Sequence, residues 1–185
     1  MSRAQAVQHK HLLISASGGA GVMALVSDRV DLTTTTACNT FRFSFAYALS
    51  DKWSLGVHYD RIGSNEPDGD LDRLHLTTYL LEGTYRPWIG DRAVVECTVG
   101  LGASAASLFP EGARLPYTAS GGAFTLGVRY VHLLSNTVGL MVGSEHAMAG
   151  AGNVLLEGDS VNPDGSVSTL EWNSQRLTAG MVVRF

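Results

Sequence analysis

FRFSFAYALSDKWSLGVHYD, Phe41 to Asp60, alternates with a period of two on both sides of a short break. Phe41, Phe43, Phe45, Tyr47 and Leu49 fall on one face, and Arg42, Ser44, Ala46 and Ala48 on the other. Beyond Ser50-Asp51-Lys52, Trp53, Leu55, Val57 and Tyr59 oppose Ser54, Gly56, His58 and Asp60. Successive strand side chains point to opposite faces, so the stretch reads as a β-hairpin.

The same pattern recurs along the chain. Further strands are expected at His11 to about Ala24, Arg73–Arg86, Ala93–Ser104, Thr118–Leu133, Val138–Met148 and Ser168–Phe185, making eight. The connections Ser50–Lys52, Pro87–Arg92 and Leu134–Thr137 are short. Ser27–Asn39, Gly63–Asp72, Ala105–Tyr117 and Ala149–Val167 are long and rich in turn-forming residues. An even strand count, with short turns at one end and long loops at the other, is the organisation of a transmembrane barrel. No segment has a helical period and no linker divides the chain, so residues 1–185 are expected to form one domain. The fold class is all-β: a closed, antiparallel, up-and-down, eight-stranded transmembrane β-barrel.

Composition points the same way. Only 16% of residues are charged, 45% are hydrophobic, and 21 of the 185 are glycine, about 11% against a background near 7%. That excludes a disordered chain. The net charge of -4 argues against a nucleic-acid partner, which needs clustered Lys and Arg. A helical span needs about 20 mostly apolar residues, and the longest uncharged run, His11–Ser27, is diluted by Ser and Gly. Arg3 and Lys10 precede it, as in a secretory signal, yet no A-x-A site follows. Removing the run would also leave an odd strand count. It reads as the first strand, and Met1 as the start of a form whose leader peptide is already absent.

Alternation alone does not say which face is outside. The polar face carries Arg42, Asp60, Glu82, Arg86, Glu96, Arg129, Glu145, Arg176 and Arg184 among glycines. A lipid-facing Arg or Lys costs about 2–4 kcal/mol at mid-bilayer, so these residues must face a lumen or bulk water; their mixed signs favour paired side chains filling a narrow lumen, with glycines making room for them. Arg42, Glu82, Glu96, Arg129, Glu145 and Arg176 are the expected lumen charge network. Tyr47, Trp53, Tyr85, Trp88 and Phe185 gather toward the short-turn end. Tyr59, Phe109, Tyr117 and Phe124 gather toward the other, as two interfacial belts would. Strict parity turns Trp172 inward unless a bulge intervenes. Leu74, Leu76 and Leu80 share parity with Glu82 and Arg86, which suggests a bulge in that strand.

The chain ends LTAGMVVRF. Leu177, Ala179, Met181, Val183 and Phe185 form one row, and Thr178, Gly180, Val182 and Arg184 the other. This ending resembles the assembly signal of outer-membrane β-barrels, with Thr178, Gly180, Val183 and Phe185 in its places. The architecture resembles the small eight-stranded barrels of the OmpA/OmpX type across nearly the whole chain. The resemblance implies a bacterial, Gram-negative-type outer-membrane location, recognition by the barrel-assembly machinery, and outer-membrane lipids and lipopolysaccharide as neighbours. A monomer with no module after Phe185 is expected.

Eight strands enclose a space that side chains can fill, so the expected role is structural or adhesive, with the loops as the contact surface. A narrow small-solute channel and a lipid A-modifying enzyme are the alternatives. Ser144, His146 and Glu157 are the nearest approach to a catalytic set, but the lipid A deacylases place Ser two residues after their His, where Met148 stands. VHLLSN, Val131–Asn136, echoes that family's HxSN with the wrong spacing. No catalytic residue is assigned, and no cofactor. Asp68, Asp70 and Asp72 open like a calcium loop, but Arg73 and Tyr79 replace its Gly and Glu. No metal site is assigned. Cys38 and Cys97 are expected as free thiols, Cys38 near a loop and Cys97 in mid-strand.

Overall fold

A computed structural model of the chain describes residues 12–27, 33–64, 71–111, 115–156, 159–160 and 169–185. The strands are β1 (Leu12–Ser27), β2 (Thr33–Ala48), β3 (Trp53–Ser64), β4 (Leu71–Ile89), β5 (Ala93–Pro110), β6 (Tyr117–Leu133), β7 (Val138–Leu156), β8 (Asp159–Ser160) and β9 (Leu170–Arg184). β8 is a two-residue pairing against the end of β7. The other eight pair antiparallel in chain order, and β9 joins both β7 and β1. The sheet therefore closes on itself. Phe185 N–H donates to the Leu12 carbonyl at 2.9 Å, which seals the seam at its lower end. The fold is the closed, eight-stranded, antiparallel barrel expected from the alternation, and among the described residues each of the eight long strands is paired on both sides.

The strands run further than their sequence suggests. β2 begins at Thr33 rather than Phe41, β5 continues to Pro110, and β7 to Leu156. Much of what reads as long loop is strand. Thr33–Thr40 (TTTTACNT) is rich in Thr, which suits a strand, but its outward Thr35, Ala37 and Asn39 include no large apolar side chain, so the lipid-type alternation is missing. Cys38 sits within β2, buried, rather than near a loop, and both cysteines are free thiols.

No bulge separates Leu74, Leu76 and Leu80 from Glu82; the irregularities of this strand lie at its two rims. Register against β5 is continuous from Arg73 to Tyr85 and shifts only at Leu71/Arg73 and Tyr85/Trp88. Leu74, Leu76, Leu80, Glu82 and Arg86 all point inward and are all buried. What changes along β4 is the medium outside it. A bilayer needs only 9–11 residues of tilted strand, whereas β4 and β7 have 19 each. Beside lipid the wall is apolar outside and polar inside. Above the lipid the outer wall meets water: Thr35, Asn39, Arg61, Arg73, Thr118, Glu171 and Asn173 are exposed there. The inner wall there is largely apolar, as in a water-soluble barrel, with buried hydroxyls at Thr36, Ser64 and Ser174.

The interior is consequently layered. Toward the loop end, Met23, Leu25, Cys38, Ile62, Leu74, Leu76, Ala106, Leu108, Ala119, Ala151, Leu170 and Trp172 form one buried apolar cluster. Charged side chains fill the middle. Toward the short turns, Val94, Val131, Leu133, Met141 and Val182 form a second apolar cluster.

Candidate functional site in the barrel interior

Three guanidiniums meet three carboxylates in the middle layer. Arg42 (β2) donates through both terminal nitrogens to Glu145 (β7) and lies 3.2 Å from Asp60 (β3). Arg176 (β9) donates to Asp60 and Glu145, and to the Thr40 hydroxyl at 3.1 Å. Arg129 (β6) forms a bidentate pair with Glu82 (β4) at 2.9 and 2.7 Å and stands 3.8 Å from Glu145. His58 Nδ1 lies 3.0 Å from Glu82 Oε2, and Thr40 donates to Asp60 at 2.9 Å. Side chains from six strands thus interlock across the lumen, and the formal charges balance if His58 is neutral. Arg176 and Asp60 are each only 1% exposed.

Glycine makes the crossing possible. A Cβ on Gly143 would stand 2.9 Å from Arg129 Cγ, and one on Gly21 would stand 2.9 Å from Arg176 Cγ. Both positions let a long side chain lie flat against the wall.

Of the six residues expected to form the network, Arg42, Glu82, Arg129, Glu145 and Arg176 come together here. Glu96 does not join them. Although paired in register with Arg129, it accepts from Arg86 Nε at 3.0 Å in a separate, lower ion pair, where Arg86 also donates to Ser54 at 3.2 Å. The carboxyl of Glu82, reaching across from β4 on the far side of β5, takes both donors of Arg129 instead. Asp60 and His58 belong to the central cluster. Their signal was the parity of β3, which places them on the face that carries Gly56 and Ser54.

Set beside solved structures, the chain is similar to Neisserial surface protein A, NspA, with 15% identity, 96% of this chain and 98% of that one covered, and a TM-score of 0.69. It is also similar to Ail, the attachment invasion locus protein of Yersinia pestis, with 12% identity, coverage of 94% and 99%, and a TM-score of 0.50. The outer membrane protease OmpT from Escherichia coli gives 10% identity, coverage of 96% and 98%, and a TM-score of 0.52. The fold is that of the small outer-membrane β-barrels. No protein-family model matches the chain, and no curated protein matches it in sequence. Identities this low bear on the fold alone.

On this barrel the aromatic residues take definite places. Tyr47, Trp53 and Trp88 are exposed on the outer wall near the short turns, where Trp53 and Tyr85 stack with ring centroids 4.7 Å apart. Tyr59 pairs with Tyr79 at 5.3 Å toward the other interface. Phe124 is half-buried on the outer wall of β6. Tyr117 is a correction: it packs against the upper interior cluster rather than in a belt, because its parity is that of Ala119 and Ala123, which point inward. Trp172 likewise points inward and is 4% exposed, as strict parity demands. Phe109 lies above the lipid level, beneath the Arg73 guanidinium at 5.1 Å.

The terminal row also has a physical role in closure. Gly180 lies opposite Ser17 of β1, and a Cβ there would stand 2.1 Å from the Ala16 carbonyl oxygen. Thr178 pairs with Gly19 and Gly143, Val183 with Ile14 and Val138, and Phe185 is exposed. Ser144 and His146 are exposed on the outer wall of β7, and His146 lies opposite Gln175 and Leu126 rather than a carboxylate. Glu157, Asp68 and Asp70 lie outside the described residues. Among those described, no group of three His, Cys, Asp or Glu is arranged to hold a metal ion.

Proposed function

We propose that the chain is a closed, non-conducting barrel of the bacterial outer membrane that acts through its wall and loop end, as an envelope component and a surface for adhesion. The observation that carries this reading is the filled interior. A balanced ion-pair layer lies below a buried apolar layer, and at the lower end a second apolar cluster packs beside the Arg86–Glu96 pair. An ion entering from the loop side would have to displace Leu74, Leu76, Leu170 and Trp172 before meeting a charged group. Such desolvation is costly, and that opposes the narrow-channel alternative. The protein acts as a monomer, and β9 is the segment presented to the assembly machinery.

The test is planar-bilayer recording of the refolded full chain. The expected result is a silent membrane at potentials where a porin control opens. Reproducible unitary steps from the chain alone would overturn the reading. The protease neighbour shows that this fold also carries catalysis, so incubation with lipid A and mass analysis belongs beside it. No deacylated or acylated product is expected.

A further inference from the structure

Gly122 of β6 pairs with Gly150 of β7, and Gly150 pairs with Glu171 of β9. One same-face step toward the lipid, Phe124 pairs with Met148, and Met148 with Asn173. Residues directly opposite on one face of a sheet stand side by side, so two adjacent glycines leave a gap among larger groups. The gap is a hollow in the outer wall of about 470 Å³, within the size range of small-ligand clefts. Its floor is bare backbone, and nothing stands within 4 Å of a Cβ built on Gly122. Phe124 and Met148 bound it on the lipid side. Glu171 leans over the floor, its Cγ 3.9 Å from a Cβ built on Gly150, and Asn173 lies beside it. Glu171 is exposed and has no ion-pair partner among the described residues. On the outward faces of β1, β6, β7 and β9 at this level it carries the only full charge among those residues, and His146 lies a further same-face step below Met148. The hollow on β2–β4, lined by Phe43, Phe45, Val57, Tyr59 and Tyr79, differs: it presents only apolar and phenolic side chains outward, and so selects no charge.

A cleft with an apolar floor and a single unpaired carboxylate is complementary to a molecule with an apolar body and one positive end. We propose that the β6–β7–β9 wall is a binding site for a small amphiphilic cation, an aryl- or alkylammonium, with its apolar part over Gly122 and Gly150 and its ammonium on Glu171. The ammonium donates a charge-assisted hydrogen bond to the carboxylate, and the Asn173 amide offers a second acceptor. The face of the Phe124 ring attracts the same charge, while the flexible thioether of Met148 adapts to an aryl or alkyl body. An anion is repelled by Glu171, and a neutral analogue forfeits the charge contact. The hollow lies where lipid gives way to water, the depth that a molecule with one charged end prefers. The assignment goes beyond the envelope and adhesion reading and is independent of what the loops contact and of whether the lumen conducts.

The experiment is amide NMR of the isotope-labelled, refolded full chain in nanodiscs of zwitterionic lipid. The probes are phenethylammonium, its neutral analogue phenylethanol and the anionic phenylpropionate. Phenethylammonium is expected to give saturable shifts at the amides of Gly122, Gly150 and Asn173, phenylethanol weaker ones, and phenylpropionate none. Glu171→Gln is expected to weaken phenethylammonium about fivefold, the upper range for one solvent-edged ion contact. Added salt acts in the same direction. Glu111→Gln, at an exposed carboxylate just past β5, is the charge-matched control and leaves binding unchanged. Gly122→Trp, which fills the hollow where the backbone leaves open space, is expected to abolish the saturable shifts. Wild-type affinity in Glu171→Gln, with the folded band retained on unheated gels, would overturn the proposal. So would phenylpropionate binding as tightly as the ammonium. Shifts that never saturate and spread along the lipid-level strands would mean partition into the bilayer only, which equally overturns it. Wild-type affinity in Gly122→Trp would remove the hollow as the seat of the ligand.

Discussion

Glu145 accepts hydrogen bonds from both Arg42 and Arg176 and lies within 3.8 Å of Arg129. Removing it leaves buried guanidiniums with too few carboxylates, a change that typically costs about 3–5 kcal/mol. Glu145→Ala is expected to lower stability by that amount in urea unfolding from lipid vesicles. Glu171→Ala, on the exposed outer wall, should move the midpoint by less than about 0.5 kcal/mol. Equal midpoints would remove the network's structural role. His75 makes a pH prediction. Its folded-state pKa is lowered, so as pH falls through the ordinary imidazole value near 6.5 the unfolded chain takes up the proton first. Stability is therefore lost on that descent, and the loss is complete below the folded-state pKa. His75→Gln is expected to flatten this part of the profile of unfolding midpoint against pH. The inward placement of Glu145 was legible from parity and the cost of a charge in lipid. Its choice of Arg42 and Arg176 was not, because a two-residue period says which way a side chain points and nothing about how far it reaches.

A single strand carries two environments along its length, and β6 shows how to locate the boundary. Val128 and Thr118 both point outward, Val128 beside lipid and Thr118 toward the loop end. Val128→Arg is expected to cost about 2–4 kcal/mol, while Thr118→Arg, exposed to water, should cost little. Comparable losses in both variants would place the lipid boundary above Thr118. In β9, Gly180 has no room for a side chain against the Ala16 carbonyl. Gly180→Val is therefore expected to fail to refold even in detergent without any assembly factor, read as loss of the folded band on unheated gels. Successful refolding there would leave recognition as the only demand on that glycine. Strand centres were readable wherever lipid imposed apolar alternation, as in Phe41–Leu49. Strand ends were not, because above the lipid the exposed face becomes polar and the inner face apolar, and Thr33–Thr40 then looks like loop.

For the molecule as a whole, the layered interior makes the upper barrel an extension of the folded body rather than a set of loops. Amide exchange in bilayers is expected to be slow at Thr36–Thr40, Leu74–Leu76 and Ala106–Leu108, as slow as in the lipid-embedded strands. Fast exchange at those positions would return them to loop. Closure, strand number and the lipid-facing surface were determined by the sequence alone, because a period of two, an even count and the price of charge in hydrocarbon permit few other arrangements. Only the tertiary structure decided that Leu74, Leu76 and Trp172 share the inner face with Glu82 and Arg176, and that Glu96 pairs below the central cluster. The reason is physical: each of these depends on barrel height relative to the bilayer and on reach between strands distant in the chain, and neither quantity is written in the alternation of one strand.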